Sequence, residues 1–174
     1  TEGGRPLAMR AQARLLGAAA AGLCFAADQI SKFWLIEVIG IAGRQPIRLT
    51  PFLDVVMAWN RGVSYSMFSA DGPLGRLALL GLAVLATGFL GIWLWRTTDR
   101  TTAIGLGLII GGALGNALDR FSYGAVADFF YFHTTLPVGP LANYVFNIAD
   151  CGIVAGVALL LYESLRPRPA AVKA

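Results

Sequence analysis

Four long apolar stretches decide most of what this chain can fold into: Leu15–Ile36, Leu74–Trp95, Ala103–Leu118 and Ile148–Leu165. A helix needs about 20 predominantly apolar residues to cross a bilayer, within a range of about 17 to 25. The third and fourth stretches are near or below that range unless flanking residues help, and polar residues punctuate the ends of three of them. The composition agrees with lipid as the solvent: 56% of residues are hydrophobic and 14% charged, against roughly 25% charged in soluble domains. At 174 residues the chain is one domain on length. The economical reading is an all-α polytopic membrane protein: four transmembrane helices with a small extracytoplasmic β element.

The cations orient it. Arg5, Arg10 and Arg14 precede the first stretch, Arg96 and Arg100 follow the second, and Arg166, Arg168 and Lys173 follow the fourth. With four spans these eight of the 14 lysines and arginines fall on one side. The other six (Lys32, Arg44, Arg48, Arg61, Arg76 and Arg120) are spread over longer connections. The positive-inside rule then places both termini in the cytoplasm. The tails are residues 1–14 and 166–174, the membrane domain is 15–165, and the outward loops are about 38–73 and 120–147. The net charge of +4 is not gathered into a patch, so nucleic acid is not expected as a partner.

The N-terminus invites another reading. Arginines followed by "LLGAAAAGLC" resemble a secretory signal ending in a cysteine. Leu23, however, stands where a lipoprotein cleavage box needs a small residue, and the apolar run continues past Cys24. An uncleaved first helix is expected. Residues 1–8, before Met9, read as a loose native tail or an added segment. Cys24 and Cys151 fall within spans, where cysteines pack as small apolar groups. No His or Cys stands at metal-ligand spacing from them. His133 reads as a solvated loop histidine. No metal or cofactor is expected.

Polar residues gather at the outward helix ends. "DQISK" puts Asp28 and Lys32 four apart on one helical face, acid first. The pair can be an interfacial ion pair with Lys32 snorkelling to water, or part of a site. "RQPIRLTPFLDVVMAWN" is rich in aliphatic and aromatic residues with prolines at its edges, and reads as short strands against the membrane surface. On spacing alone, Asn60 and Gly62 in the following "WNRGVSYSMF" make an ordinary turn.

"GGALGNALDRFSYGAVADFF" says more. Gly111, Gly112 and Gly115 allow close helix approach. Asn116, Asp119 and Arg120 then lie at i, i+3 and i+4, on one face. Asp128 follows, flanked by Val126, Ala127, Phe129 and Phe130, a setting that raises a carboxyl pKa. "FNIAD" repeats the device, with Asn147 three before Asp150, directly ahead of a run without charge or proline. A charge at a helix centre costs about 2.5 to 3.5 kcal/mol on insertion scales, so this grouping needs a reason. Arg120 can neutralise one acid, most simply Asp119. That leaves Asp128 and Asp150 without an obvious cation. Two carboxylates brought together share a proton. One is then a base for water while the other polarises a carbonyl, as in aspartic proteases.

Taken in order, "DQISK", "NRGVSYSMF", "GNALDR", "GAVADFF" and "FNIAD" resemble the motifs of lipoprotein signal peptidase (signal peptidase II), and the match runs from about Leu15 to Leu165. The resemblance implies a bacterial inner-membrane aspartic endopeptidase with four spans and cytoplasmic termini. It would cleave diacylglyceryl-modified prolipoproteins before the lipidated cysteine. The implied catalytic pair is Asp128 and Asp150. The implied supporting residues are Asp28, Lys32, Asn60, Gly62, Asn116, Asp119, Arg120, Asn147 and Ala149. The expected partners are the prolipoprotein and membrane lipid, with the enzyme a monomer. Val63, Ser64 and Tyr65 depart from the small residues the family shows after its Asn-x-Gly, and Cys151 replaces a common serine. Two other classes compete. A proton-coupled transporter would line its path with acids, yet "LGLIIGG" and "AGVALLLY" offer nothing polar towards the cytoplasm. A non-catalytic assembly factor would tolerate amides in place of the carboxylates.

Overall fold

All four apolar stretches become helices, and one of them is the pillar for the rest. In the computed structural model, which describes residues 4–63, 68–69, 73–136 and 139–166, the helices are α1 (Gly4–Phe33), α2 (Pro73–Arg96), α3 (Arg100–Tyr123) and α4 (Ile148–Leu165). α3 packs extensively on α1 and α4, and less on α2. Its ends are set by local chemistry. The Asp99 side chain accepts the Thr102 N–H at 2.6 Å, and Gly124 closes the helix with φ +77°, a conformation side chains resist. Between these ends, Gly112 and Gly115 let the neighbours come close. A Cβ at Gly112 would strike the Ala149 carbonyl of α4, and one at Gly115 the carboxylate of Asp28 on α1. The glycines therefore do what the sequence suggested.

Among the described residues, three helices are long and apolar enough to cross a membrane: Leu74–Arg96, Arg100–Tyr123 and Ile148–Leu165, with mean hydropathies of 2.3, 1.5 and 1.7. α1 is longer, at 30 residues, but carries Asp28, Gln29 and Lys32 in its last turns. It also begins at Gly4, well before Leu15, because "PLAMRAQARLL" is dominated by strong helix formers. This early part is tied down. Arg14 lies 3.7 Å over the Trp95 ring and its Nε donates to the Trp95 carbonyl, while Arg100 donates to Gln12. The start of α1 and the α2–α3 turn thus share one end of the bundle. α2 exposes Leu77, Leu82, Leu85 and Phe89, the surface expected of a helix bathed in lipid.

At the opposite end the chain builds a sheet. After α1 come a π-helical turn (Trp34–Val38) and a 3-10 turn (Ile41–Gly43), then β1 (Ile47–Thr50) and β2 (Leu53–Asn60), as "RQPIRLTPFLDVVMAWN" suggested. A two-residue ladder joins β3 (Gly62–Val63) to β4 (Phe68–Ser69). The main sheet is antiparallel in the order β1-β2-β5-β6, where β5 is Val126–His133 and β6 is Asn143–Phe146. The last two strands are not foreseen from sequence. "VADFFYFH" lacks the alternation of a half-buried strand because its first four residues are all buried. Ile41, Val55, Ala127 and Phe129 form the core between the sheet and the turns that follow α1. β5 rises directly from the end of α3, and β6 leads back into α4, so the root of this hairpin lies on the helix ends.

Candidate functional site

α4 starts at Asn147, which has extended backbone angles and accepts the Asp150 N–H at 2.9 Å. Asp150 returns the bond, accepting the Asn147 N–H at 3.3 Å. This reciprocal cap, Asn-x-x-Asp, places the Asp150 carboxylate at the positive end of the helix dipole. The motif "FNIAD" is therefore a helix start, and Asp150 sits in the first turn of the apolar helix.

Asp128 lies near the root of β5, opposite Ala58 of β2. Its carboxyl is held by two amides: Asn147 donates to Oδ1 at 2.7 Å and Asn60 to Oδ2 at 3.2 Å. Asn116, on α3, donates to Asp150 Oδ1 at 3.0 Å and accepts from Asn147 Nδ2 at 3.0 Å. Asn147 thus touches both acids, one through its backbone and one through its side chain. Among the described residues no lysine or arginine forms an ion pair with either acid. Burial, with the charge of Asp150 added, raises the Asp128 carboxyl from 3.8 to about 7, against the opposing pull of the Asn60 and Asn147 bonds and the Lys32 charge.

Beside this pair lies a second cluster. Lys32 is 3% exposed, so it does not snorkel to water. Its ammonium meets Asp28 Oδ2 and Asp119 Oδ2, each at 2.7 Å, and Asn116 Oδ1 at 3.3 Å. The expected Asp119–Arg120 pairing is not found, because adjacent residues of a helix point in different directions. Asp119 turns inward to Lys32. Arg120 instead donates to the carbonyls of Asn116 and Gly62, at 3.3 and 3.4 Å, within electrostatic reach of Asp128 and Asp150. The triad also anchors backbone: Asp28 Oδ1 accepts the Ala149 N–H at 2.9 Å, and Asp119 Oδ2 accepts the Ala127 N–H at 3.1 Å besides the Lys32 ammonium. Through these bonds the triad joins α1, α3, α4 and β5.

All eleven residues singled out from sequence therefore meet at one end of the bundle. Asn60 and Gly62 are more than an ordinary turn: Asn60 ends β2 with its amide on Asp128 while its Oδ1 accepts the Gly62 N–H at 3.2 Å. Ser64 and Tyr65 lie outside the described residues. His133 is not a solvated loop residue. It ends β5, half-buried, with Nε2 3.2 Å from Asp54 Oδ2. Cys24 is buried and Cys151 exposed, both free. The residue that sequence reasoning passed over is Gln29. Its Nε2 lies 3.0 Å from Asp28 Oδ2 and 3.2 Å from Asp119 Oδ1. The available signal was its place inside "DQISK", a third polar group at an apolar helix end.

The family described as signal peptidase (SPase) II matches residues 20–166. A lipoprotein signal peptidase of Methylocella silvestris is 61% identical over 152 residues, covering 87% of this chain and 86% of the relative. One of Beijerinckia indica is 52% identical over 161 residues, covering 92% and 94%. A solved structure described as a bacterial membrane enzyme superimposes with a TM-score of 0.73 at 22% identity, over 90% of this chain and 94% of that one, and thus shares the fold.

Proposed function

The chain belongs to the signal peptidase II family, a family of membrane proteases, and from that premise we propose that it removes the signal peptide from diacylglyceryl-modified prolipoproteins, using Asp128 and Asp150 as its catalytic pair. The observation that carries the reading is the Asp128–Asn147–Asp150 arrangement: a buried and a half-buried acid joined by amides, with no cation among the described residues bonded to either. Such a pair keeps one proton between its two carboxyls near neutral pH.

The ionised carboxyl takes a proton from a water as the water oxygen attacks the carbonyl carbon before the lipidated cysteine. The protonated carboxyl gives its proton to the carbonyl oxygen, so a neutral tetrahedral diol forms. Its collapse breaks the C–N bond, returns a proton to the leaving nitrogen and restores one shared proton. Asn60, Asn116 and Asn147 hold the acids, and Arg120 lies where it can meet the substrate backbone. Asp28, Lys32, Asp119 and Ala149 fix the helices beneath them, and Gly62 offers its carbonyl to Arg120.

The setting belongs to the same proposal. All four helices span the bacterial inner membrane, α1 included, with residues 1–14 and 166–174 cytoplasmic. The regions 38–73 and 120–147 face outward, so the acids sit at the outer membrane face. The acyl chains stay in the bilayer while the peptide reaches the acids from the side, and the enzyme works as a monomer.

The test is a gel-shift assay of the purified chain in detergent on a lipidated and an unlipidated precursor. Cleavage of the lipidated form alone, lost in both Asp128→Asn and Asp150→Asn, is the expected result. Turnover surviving in either amide variant would remove the catalytic pair, and no cleavage by the folded parent would favour a transporter.

A further inference from the structure

Gln29 stands beside the buried triad without an assigned task. Lys32 brings one positive charge to two carboxylates, both within 2.7 Å and almost wholly buried. Two like charges gathered on one cation repel each other. A carboxamide nitrogen carries two hydrogens and no charge. Gln29 Nε2 places it 3.0 Å from Asp28 Oδ2 and 3.2 Å from Asp119 Oδ1, with the Gly115 carbonyl at 3.3 Å. It can bond both acids at once without adding a second cation.

What this tie controls lies one step further in. With both acids fixed, the Lys32 ammonium has a hydrogen left for Asn116 Oδ1, at 3.3 Å. That contact leaves the Asn116 amide nitrogen to donate to Asp150, at 3.0 Å. Gln29 is also the boundary of the triad. A cavity of about 660 Å³, walled by Phe33, Ile36, Glu37 and Tyr123, reaches Gln29, Lys32 and Asp119, and Asp150 does not line it. Without the amide, water from that cavity could solvate the acids, and Lys32 would be free to follow them.

We propose that Gln29 is a positioning residue of the cleavage reaction: by tying Asp28 to Asp119 it holds Lys32 against Asn116, and through Asn116 it orients the carboxyl of Asp150. This rests on Asp128 and Asp150 being the catalytic pair. The charged groups facing the assembly are Asp28 and Lys32 from α1, Glu37 from the π-helical turn across the cavity, Asp119 and Arg120 from α3, Asp150 from α4 and Asp128 from β5.

The experiment is steady-state cleavage of a diacylglyceryl-modified precursor by the full chain in detergent, comparing the parent, Gln29→Met and Asp128→Asn across pH. Methionine keeps the length and removes the donors. For Gln29→Met, kcat falls by about 10- to 100-fold, while KM stays within about twofold. Its alkaline limb also moves to higher pH, because the Lys32 charge that favours ionised Asp128 is no longer fixed. An unchanged kcat, or a fall without movement of the limb, overturns the proposal and leaves Gln29 a packing residue. If Gln29→Met does not fold, Gln29→Asn, whose amide is one methylene short of both acids, decides by the same two readings. An inert Asp128→Asn beside an unaffected Gln29→Met brings down this proposal alone. Turnover in Asp128→Asn brings down the catalytic pair and this proposal with it.

Discussion

Two pairs of acids lie side by side at the same end of the bundle, and they are treated differently. Asp28 and Asp119 meet a lysine, each at 2.7 Å. Asp128 and Asp150 meet asparagines: Asn60, Asn116 and Asn147. A buried ammonium attracts the carboxylates around it strongly and holds them in place. An amide donor holds a carboxyl in place with far less preference, since it carries no charge of its own. The first pair is thereby suited to holding helices together, and the second to changing its protonation state without losing its position. The physical difference between the two pairs is the partner, for the acids themselves are the same.

The comparison can be broken in several places. The largest effect is expected from Asp128→Asn or Asp150→Asn. Each removes a titrating carboxyl yet leaves the cluster's shape, so kcat falls by at least about 1,000-fold while the unfolding transition in detergent is retained. Next comes Lys32→Met, which strands two buried carboxylates and costs about 3 to 5 kcal/mol of stability. Thermal or denaturant unfolding reads it directly. A loss below about 1 kcal/mol would show that those acids do not carry charge, and the contrast between the pairs would dissolve.

The pH dependence is a sharper probe. The Asp128 carboxyl is raised from 3.8 to about 7 by burial first and Asp150 second. An acid whose folded pKa is raised contributes stability that is full below its unfolded value and lost as pH climbs through the folded one. The parent should therefore lose stability between about pH 4 and 7, and Asp128→Asn should flatten that slope. Cleavage should fall over the same upper limb as the shared proton leaves. Asn60→Ala removes a bond that favours the ionised form, so its limb moves upward; a downward move would contradict the role given to that amide.

The smallest effect is expected at the far end of the sheet. Arg48 is 74% exposed and reaches Asp54 only at 3.4 Å. Arg48→Ala should cost no more than about 1 kcal/mol and leave cleavage unchanged. A loss equal to that of Lys32→Met would mean that exposure does not separate the two kinds of ion pair.

Much of this was legible along the chain, wherever the cause is local. Helix positions follow largely from apolar length, and "FNIAD" sets Asn147 three residues before Asp150, on the same helical face. The glycines of α3 announce close approach because only a missing side chain permits it. Less legible were features whose partner lies far away in sequence. "VADFFYFH" hides a strand because burial erases its alternation. Asp119 is drawn to Lys32 on another helix rather than to its neighbour Arg120. His133 finds Asp54 only once β2 and β5 are paired.

By itself, then, the sequence determined that the chain belongs in a membrane, where its apolar stretches lie, and which carboxylates had to be justified. Only the tertiary structure decided which acid received the cation and which received amides. That choice depends on distances between α1, α3, α4 and β5, and the Coulomb energy between an acid and a cation falls with distance in space, which spacing along the chain does not report.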